Sequence, residues 1–173
     1  MIWRKDPQSE VASGLKPLYP RIWRYCVALT GSRDRADDLA QASCLRALEK
    51  ASRFMPGTRL DLWMYRLTQR VWLNEMRADA VRQRGSMTSI EEVDIADTNP
   101  DPESNLLARD VLREIMALPE AQRAAVILVY AEGFSYKEAS EILDVPIGTV
   151  MSRLSAARMK LVGKFEPEEN ESA

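Results

Sequence analysis

Apolar residues recur every three or four positions along most of the chain, the spacing that lines one face of an α-helix. No stretch has the strict alternation of a half-buried strand. The first such pattern predicts a helix over Leu18–Thr30, with Pro17 and Pro20 near its start and Gly31 at its end. A second helix, about Arg33–Ser52, begins after Ser32 and carries Leu39, Ala42, Leu45 and Leu48 at helical spacing. The segment "RFMPGTR", Arg53–Arg59, is broken by Pro56-Gly57 and reads as a loop. A long third helix follows over about Leu60–Arg84.

Periodicity then stops. "GSMTSIEEVDIADTNPDPES", Gly85–Ser104, has two prolines and no base, and is too acidic and polar to bury a core of its own. Helical spacing resumes after it. Asn105 is placed to cap Leu106–Leu118, Pro119 to open the next helix at its first position, and Gly133 to close it. Ser135 and Glu138 form the Ser-x-x-Glu capping box of the helix after that. The expected fold is all-α: two small helical domains, 1–86 and 106–165, joined by a flexible acidic linker, 87–105, and followed by an acidic tail, 166–173.

The last two helices, "FSYKEASEILDVPIGTVMSRLSAARMKL", surround a tight turn. On a wheel of about 100° per residue, Val150, Leu154, Ala157 and Leu161 make one buried stripe. Ser152, Ser155, Ala156 and Met159 lie opposite, with Arg153 and Lys160 on one flank and Arg158 on the other. Small residues let a helix approach base edges, and long basic flanks reach the phosphates on either wall of a major groove. In "DVPIG", Val145 and Ile147 are expected to bury against the preceding helix, as a helix-turn-helix requires. An amphipathic hairpin with ordinary solvated charges gives the same pattern.

A net charge of -2 over 173 residues looks wrong for a nucleic-acid binder until it is divided. Residues 1–86 hold 16 Lys and Arg against 9 Asp and Glu. Residues 87–105 hold 6 acids and no base, and the tail from Glu166 adds 4 more acids. A basic domain beside acidic segments is the asymmetry that marks a nucleic-acid partner. The chain has no His, no Gly-x-Gly-x-x-Gly and no phosphate-binding Gly-Lys-Ser/Thr loop. The lack of His removes imidazole-based nucleophilic catalysis, and two cysteines without His make no zinc site. Cys26 and Cys44 lie inside apolar helical patterns and read as buried thiols. No metal, cofactor or catalytic residue is expected. No apolar run nears the roughly 18 residues of a membrane span. "MIWRKDPQSE" lacks the apolar core of a secretory signal, so a cytoplasmic location is expected.

Two further faces carry candidate chemistry. Trp63, Arg66, Arg70, Asn74 and Arg77 are spaced three or four apart and share one side of the third helix. Basic surfaces with aromatics bind backbone and stack unpaired bases. Trp72 reads as core; Trp63, beside the Pro-Gly loop, fits either a core or a stacking role. In the second helix, Asp37, Asp38, Gln41 and Arg46 present mixed charge beside an apolar stripe, either a protein-docking face or a plain solvated one.

These motifs coincide in order: "LTGSRDRADDLAQASCLRAL", then "F" with "PGT", then "LWMYRLTQRVWLNEMR", an acidic linker, and "LPEAQRAAVILVYAEGFSYKEASEILDVPIGTVMSRLSAARMKL". Over roughly Leu18–Leu161 the chain resembles the extracytoplasmic-function (ECF) sigma factors of bacterial RNA polymerase. The resemblance implies an N-terminal sigma region 2 that docks on the β′ clamp helices of core RNA polymerase through Asp38, Gln41, Leu45 and Arg46. It implies that Phe54, Trp63, Arg66, Arg70, Asn74 and Arg77 recognise and melt the promoter -10 element. It implies a C-terminal sigma region 4 that binds the β flap and sets Thr149, Met151, Ser152, Arg153, Ser155, Ala156 and Arg158 into the -35 major groove. Promoter DNA and an anti-sigma factor are the other implied partners, with no membrane contact and no cofactor. The chain departs from the family pattern at Arg70 and Asn74, where Asn and Asp are typical, and at Met151 and Ala156, where a base is common.

Three functions compete on these residues. A promoter-specificity subunit works only with polymerase. A stand-alone dimeric regulator binds a palindrome unaided, against which the acidic tether and the missing dimer seam speak. A sigma mimic captures an anti-sigma protein and never touches DNA, against which the retained arginines speak.

Overall fold

The computed structural model describes residues 6–82 and 102–165, with side chains placed over 6–82 and 108–164. Seven α-helices and no strand occur among them. Residues 87–101 of the expected linker and the tail 166–173 lie outside the described residues.

Helix α1 spans Pro7–Thr30, starting well before Leu18. Asp6 caps it, accepting from the Ser9 amide at 3.1 Å, and Pro7 sits in the first turn, where its missing N–H costs nothing. Pro17 and Pro20 therefore lie inside the helix rather than at its start. Each removes a backbone bond, yet Val11, Leu15, Leu18 and Ile22 keep the same face on the core through the interruption. Gly14 is where α1 meets the first turn of α3: a Cβ there would stand 2.1 Å from Leu60 Cδ2. The helix ends as expected on Gly31, at φ 68.

Helix α2, Arg33–Glu49, is capped by Ser32 and stops short of Ser52. A 3-10 turn, Ala51–Arg53, follows and buries Ala51. Helix α3 spans Leu60–Arg82. The three helices enclose Tyr25, Leu29, Leu39, Met64 and Tyr65, all fully buried. The buried Tyr25 hydroxyl donates to Gln69 Oε1 at 2.7 Å, so this polar pair is satisfied inside the core.

In the second half, α4 spans Pro102–Met116. It opens on Pro102, so Asn105 lies within the helix instead of capping it, and it ends two residues before Leu118. Pro119 is the extended residue before α5, not its first helical one. Helix α5, Glu120–Val126, widens into a π-helical turn, Ile127–Ala131, in which the Glu132 amide donates to the Ile127 carbonyl at 2.9 Å. Gly133, at φ 76, ends it. The capping box is present: the Glu138 amide donates to Ser135 Oγ at 3.1 Å and the Ser135 amide to Glu138 Oε2 at 2.9 Å. Helix α6 spans Tyr136–Leu143; Asp144, at φ 54, makes the turn into α7, Ile147–Phe165. The expected stripe holds, with Val150, Leu154 and Ala157 fully buried and Leu161 at its edge. Ile147 does not join it. At the first position of α7 it remains 43% exposed, and Val145 with Val150 supplies the apolar contact of the turn.

The two halves do not hang apart. Helix α5 lies against α1 and α6 against α3, and their buried residues form one continuous core. The ring of Phe134 meets Tyr65 edge-on, with centroids 4.9 Å apart.

Candidate polymerase and promoter surfaces

Helix α2 has one face for the fold and one for solvent. Leu39, Ser43 and Ala47 are buried, whereas Asp38, Gln41, Leu45 and Arg46 are all exposed. Leu45 is 63% exposed and Leu48 half exposed, so two leucines stand in water beside charged groups. An apolar strip with a polar rim is the composition of a protein-binding patch. Arg46 pairs with Glu49 at 3.0 Å, one turn along, a surface contact of little energetic weight.

Helix α3 presents the basic face. Arg66, Arg70, Asn74 and Arg77 are exposed in one row, and Trp63 is half-buried at its upper end. Among the described residues, no ion pair involves Arg66, Arg70 or Arg77, whereas Arg21, Arg24, Arg35, Arg46, Arg59 and Arg82 each have a carboxylate partner. Arg77 makes only a long bond to Asn74 Oδ1, 3.4 Å. Three cations in a row therefore lack a local counter-charge, and an anionic backbone suits them.

Trp63 and Phe54 divide the aromatic role. Their centroids are 5.4 Å apart. Phe54 is 3% exposed, so it lies beneath the indole as a core residue and props it; Trp63 is the ring with a solvent-facing side. Trp72 is core, as its sequence context suggests, and its Nε1 donates to Glu120 of α5 at 2.9 Å.

On α7, Met151, Ser152, Ser155 and Arg158 are exposed, while Thr149, Arg153 and Ala156 are half-buried. Ser152 Oγ donates back to the Thr149 carbonyl at 3.0 Å. Burial raises the Tyr25 phenol well above its usual range, and the Arg153 charge opposes that rise as the smallest contribution. Both thiols are free, and burial pushes each upward, leaving them protonated and unreactive at neutral pH.

Sequence periodicity gave no sign of the contact between the halves. Glu132, its side chain 1% exposed, accepts from Arg21 Nε at 2.8 Å and lies 3.1 Å from Arg24 Nη2. Arg59, in the loop before α3, pairs with Asp61 at 2.8 Å and with Glu138 of the capping box at 2.9 Å. Arg123 of α5, the one charged residue between Glu120 and Glu132, is buried against carbonyls of α1. A lone arginine in the apolar run "AAVILVYAEG" and its neighbours was the available signal.

Comparison with known proteins agrees with this anatomy. Residues 15–82 match the model for sigma-70 region 2 and residues 108–161 that for sigma-70 region 4. The chain is 35% identical over 150 residues to the ECF RNA polymerase sigma factor EcfG of Rhodopseudomonas palustris, covering 82% of this chain and 77% of that one. It is 29% identical to the ECF RNA polymerase sigma-E factor of Haemophilus influenzae, over 79% and 77% of the two chains. Among solved structures, the sigma factor RpoE of Bartonella quintana in complex with the anti-sigma factor NepR is 28% identical, with a TM-score of 0.79 over 91% of this chain and 99% of that one. The fold, both family regions and these relatives lead to one conclusion: the chain belongs to the ECF sigma factors of the sigma-70 superfamily, which give RNA polymerase promoter-specific initiation of transcription.

Proposed function

We propose that three separate faces divide the work of initiation. The α2 strip of Asp38, Gln41, Leu45 and Arg46 docks on the β′ clamp helices of core polymerase, and region 4 docks on the β flap. The α3 row of Arg66, Arg70, Asn74 and Arg77 holds the non-template strand of the -10 element, with Trp63, backed by Phe54, as the stacking platform. The α7 face of Thr149, Met151, Ser152, Arg153, Ser155, Ala156 and Arg158 enters the -35 major groove. What supports this most is the row of three arginines that have no ion-pair partner among the described residues, below an indole propped by a buried ring.

The physics suits opening rather than tight duplex binding. Extruding a base costs a few kcal/mol, and stacking on an aromatic returns about 1–3 kcal/mol per base. Polymerase supplies most of the grip, so this chain needs little net positive charge. It performs no covalent chemistry, requires no cofactor, and works in the cytoplasm without membrane contact. No helix among the described residues is long and apolar enough to cross a membrane. An anti-sigma protein is its further partner, as NepR is for the Bartonella relative.

A test follows opening directly. With core polymerase and a promoter carrying 2-aminopurine in the -10 non-template strand, the wild type should raise fluorescence as the base unstacks. Trp63→Ala should bind the same promoter and leave the signal flat. Normal opening by Trp63→Ala contradicts the assignment.

A further inference from the structure

Residues 7–14, the first turns of α1, precede the region 2 match, which begins at residue 15, yet they are built into the fold. Val11 is fully buried among them. Glu10 and Val11 lie one turn before Gly14, so the three share one side of the helix. That side meets the segment that joins Phe54 to Trp63. Glu10 Oε1 accepts from the Gly57 amide at 3.3 Å. Gly14 leaves room for Leu60, the first residue of α3, whose side chain takes the place of a Cβ. A glycine inside a helix weakens it, and here the close approach of α3 accounts for it.

The loop is closed on itself and on Trp63. Thr58 donates twice to the Met55 carbonyl, from its amide at 3.2 Å and from its hydroxyl at 2.7 Å. Gly57, at φ 81, takes the left-handed position within this turn. The Trp63 amide donates to the Arg59 carbonyl at 3.1 Å, and Phe54, just before the turn, lies under the indole. Glu10 therefore ties the turn between the two rings to α1. An acid in the first turn of a helix also suits the helix dipole. The dipole does not require a bond to a residue 47 positions away. Nor does it require Oε2, the other oxygen, to be buried without a hydrogen-bond partner among the described residues, which is a costly placement.

Extruding a base is costly. A stacking platform returns most when it needs no ordering as the strand arrives. We propose that the first turns of α1 are a cradle for the loop, and that Glu10 is a positioning residue for promoter opening. By holding the Gly57 amide it fixes the turn that sets Trp63 over Phe54, ready for an unpaired -10 base. The proposal rests on the strand-holding role given to Trp63, but its first readout does not.

The test compares three full chains: the wild type, Glu10→Ala, which removes the acceptor, and Glu10→Gln, which keeps one acceptor oxygen at the same reach. Hydrogen exchange at the Gly57 amide, followed by NMR, should be at least ten-fold faster in Glu10→Ala and within three-fold of the wild type in Glu10→Gln. With core polymerase and the 2-aminopurine promoter, Glu10→Ala should open at least five-fold more slowly, and Glu10→Gln within two-fold of the wild type. Polymerase binding and the urea midpoint should be unchanged in both variants. Wild-type exchange at Gly57 in Glu10→Ala overturns the proposal, as does wild-type opening. Loss of polymerase binding or of the urea midpoint along with opening also overturns it, since the role would then be structural. So does a Glu10→Gln as slow as Glu10→Ala, because the acceptor would not be what matters. Trp63→Ala is run beside them. A flat Trp63→Ala with a normally opening Glu10→Ala removes the cradle and leaves the stacking role standing, whereas normal opening by Trp63→Ala removes the stacking role and the cradle's part in opening together.

Discussion

The guanidinium of Arg123, on α5, donates to the backbone oxygen of Ala28 in the last turns of α1. The carbonyl end of a helix carries partial negative charge, and α1 has no base in its own last turn. The other half of the molecule supplies one. The same side chain reaches the Met116 carbonyl at 2.9 Å and the Leu118 carbonyl at 3.1 Å, so one buried cation joins α1 to the α4–α5 corner. Burial pushes its pKa down, and the Glu120 carboxylate offsets part of that.

Arg123→Ala should therefore be costly, because several buried carbonyls lose their donor at once. Charged hydrogen bonds are worth about 1.5–3 kcal/mol each, and the loss expected is about 3 kcal/mol in urea unfolding. Arg123→Lys should recover less than half of it. An ammonium offers a point charge, not a fork that spans carbonyls on two elements.

Asp61 gives a pH dependence of definite sign. The hydrogen bonds from Arg59 hold its carboxyl below the usual range, against burial, which acts the other way. Its contribution is whole above the unfolded value of about 3.9 and is lost as pH falls through the lower folded value. Glu138 is lowered in the same direction, first by the Ser135 amide. The urea midpoint of the wild type should fall between pH 5 and pH 3 by more than that of Asp61→Asn. Equal falls would show that this carboxylate is not linked to folding.

Much of this architecture was legible in the sequence because it follows from local rules. Ser32, Gly31 and the Ser135–Glu138 box end or begin helices through their own side chains or φ, and Val150, Leu154 and Ala157 follow from spacing alone. What escaped depends on residues far apart in the chain. Pro17 and Pro20 look like a helix start until Val11 and Leu15 are seen on the same core. Phe54 enters the sequence reading only through the resemblance, and nothing local shows that it is buried beneath Trp63. Glu132 and Arg123 read as ordinary charges because their partners lie about a hundred residues upstream. The exposed rows on α2 and α3 were visible as patterns, since residues three or four apart share one side of a helix.

The α2 strip can be tested without disturbing the fold. Leu45 is mostly in water, so Leu45→Asp should shift stability by less than about 0.5 kcal/mol, as surface changes do. Co-purification with core polymerase should nevertheless fall at least ten-fold. Unchanged capture would remove Leu45 from the docking face.

The capping box offers a local control on region 4. Ser135→Ala deprives the Glu138 amide of its acceptor and should cost about 1 kcal/mol. Glu138 would also lose the geometry that presents it to Arg59, so hydrogen exchange in α6 should speed up more than in α2.

The division between docking and strand holding is tested most directly by the double variant Arg70→Ala, Arg77→Ala, assayed for both core polymerase binding and promoter-specific run-off transcription. Both arginines are exposed and have no carboxylate partner among the described residues, so the fold does not need them. The variant should bind polymerase as the wild type does and yield at least ten-fold fewer specific transcripts. Full transcription by the variant, or loss of polymerase binding together with transcription, would contradict the assignment of α3 to the open strand.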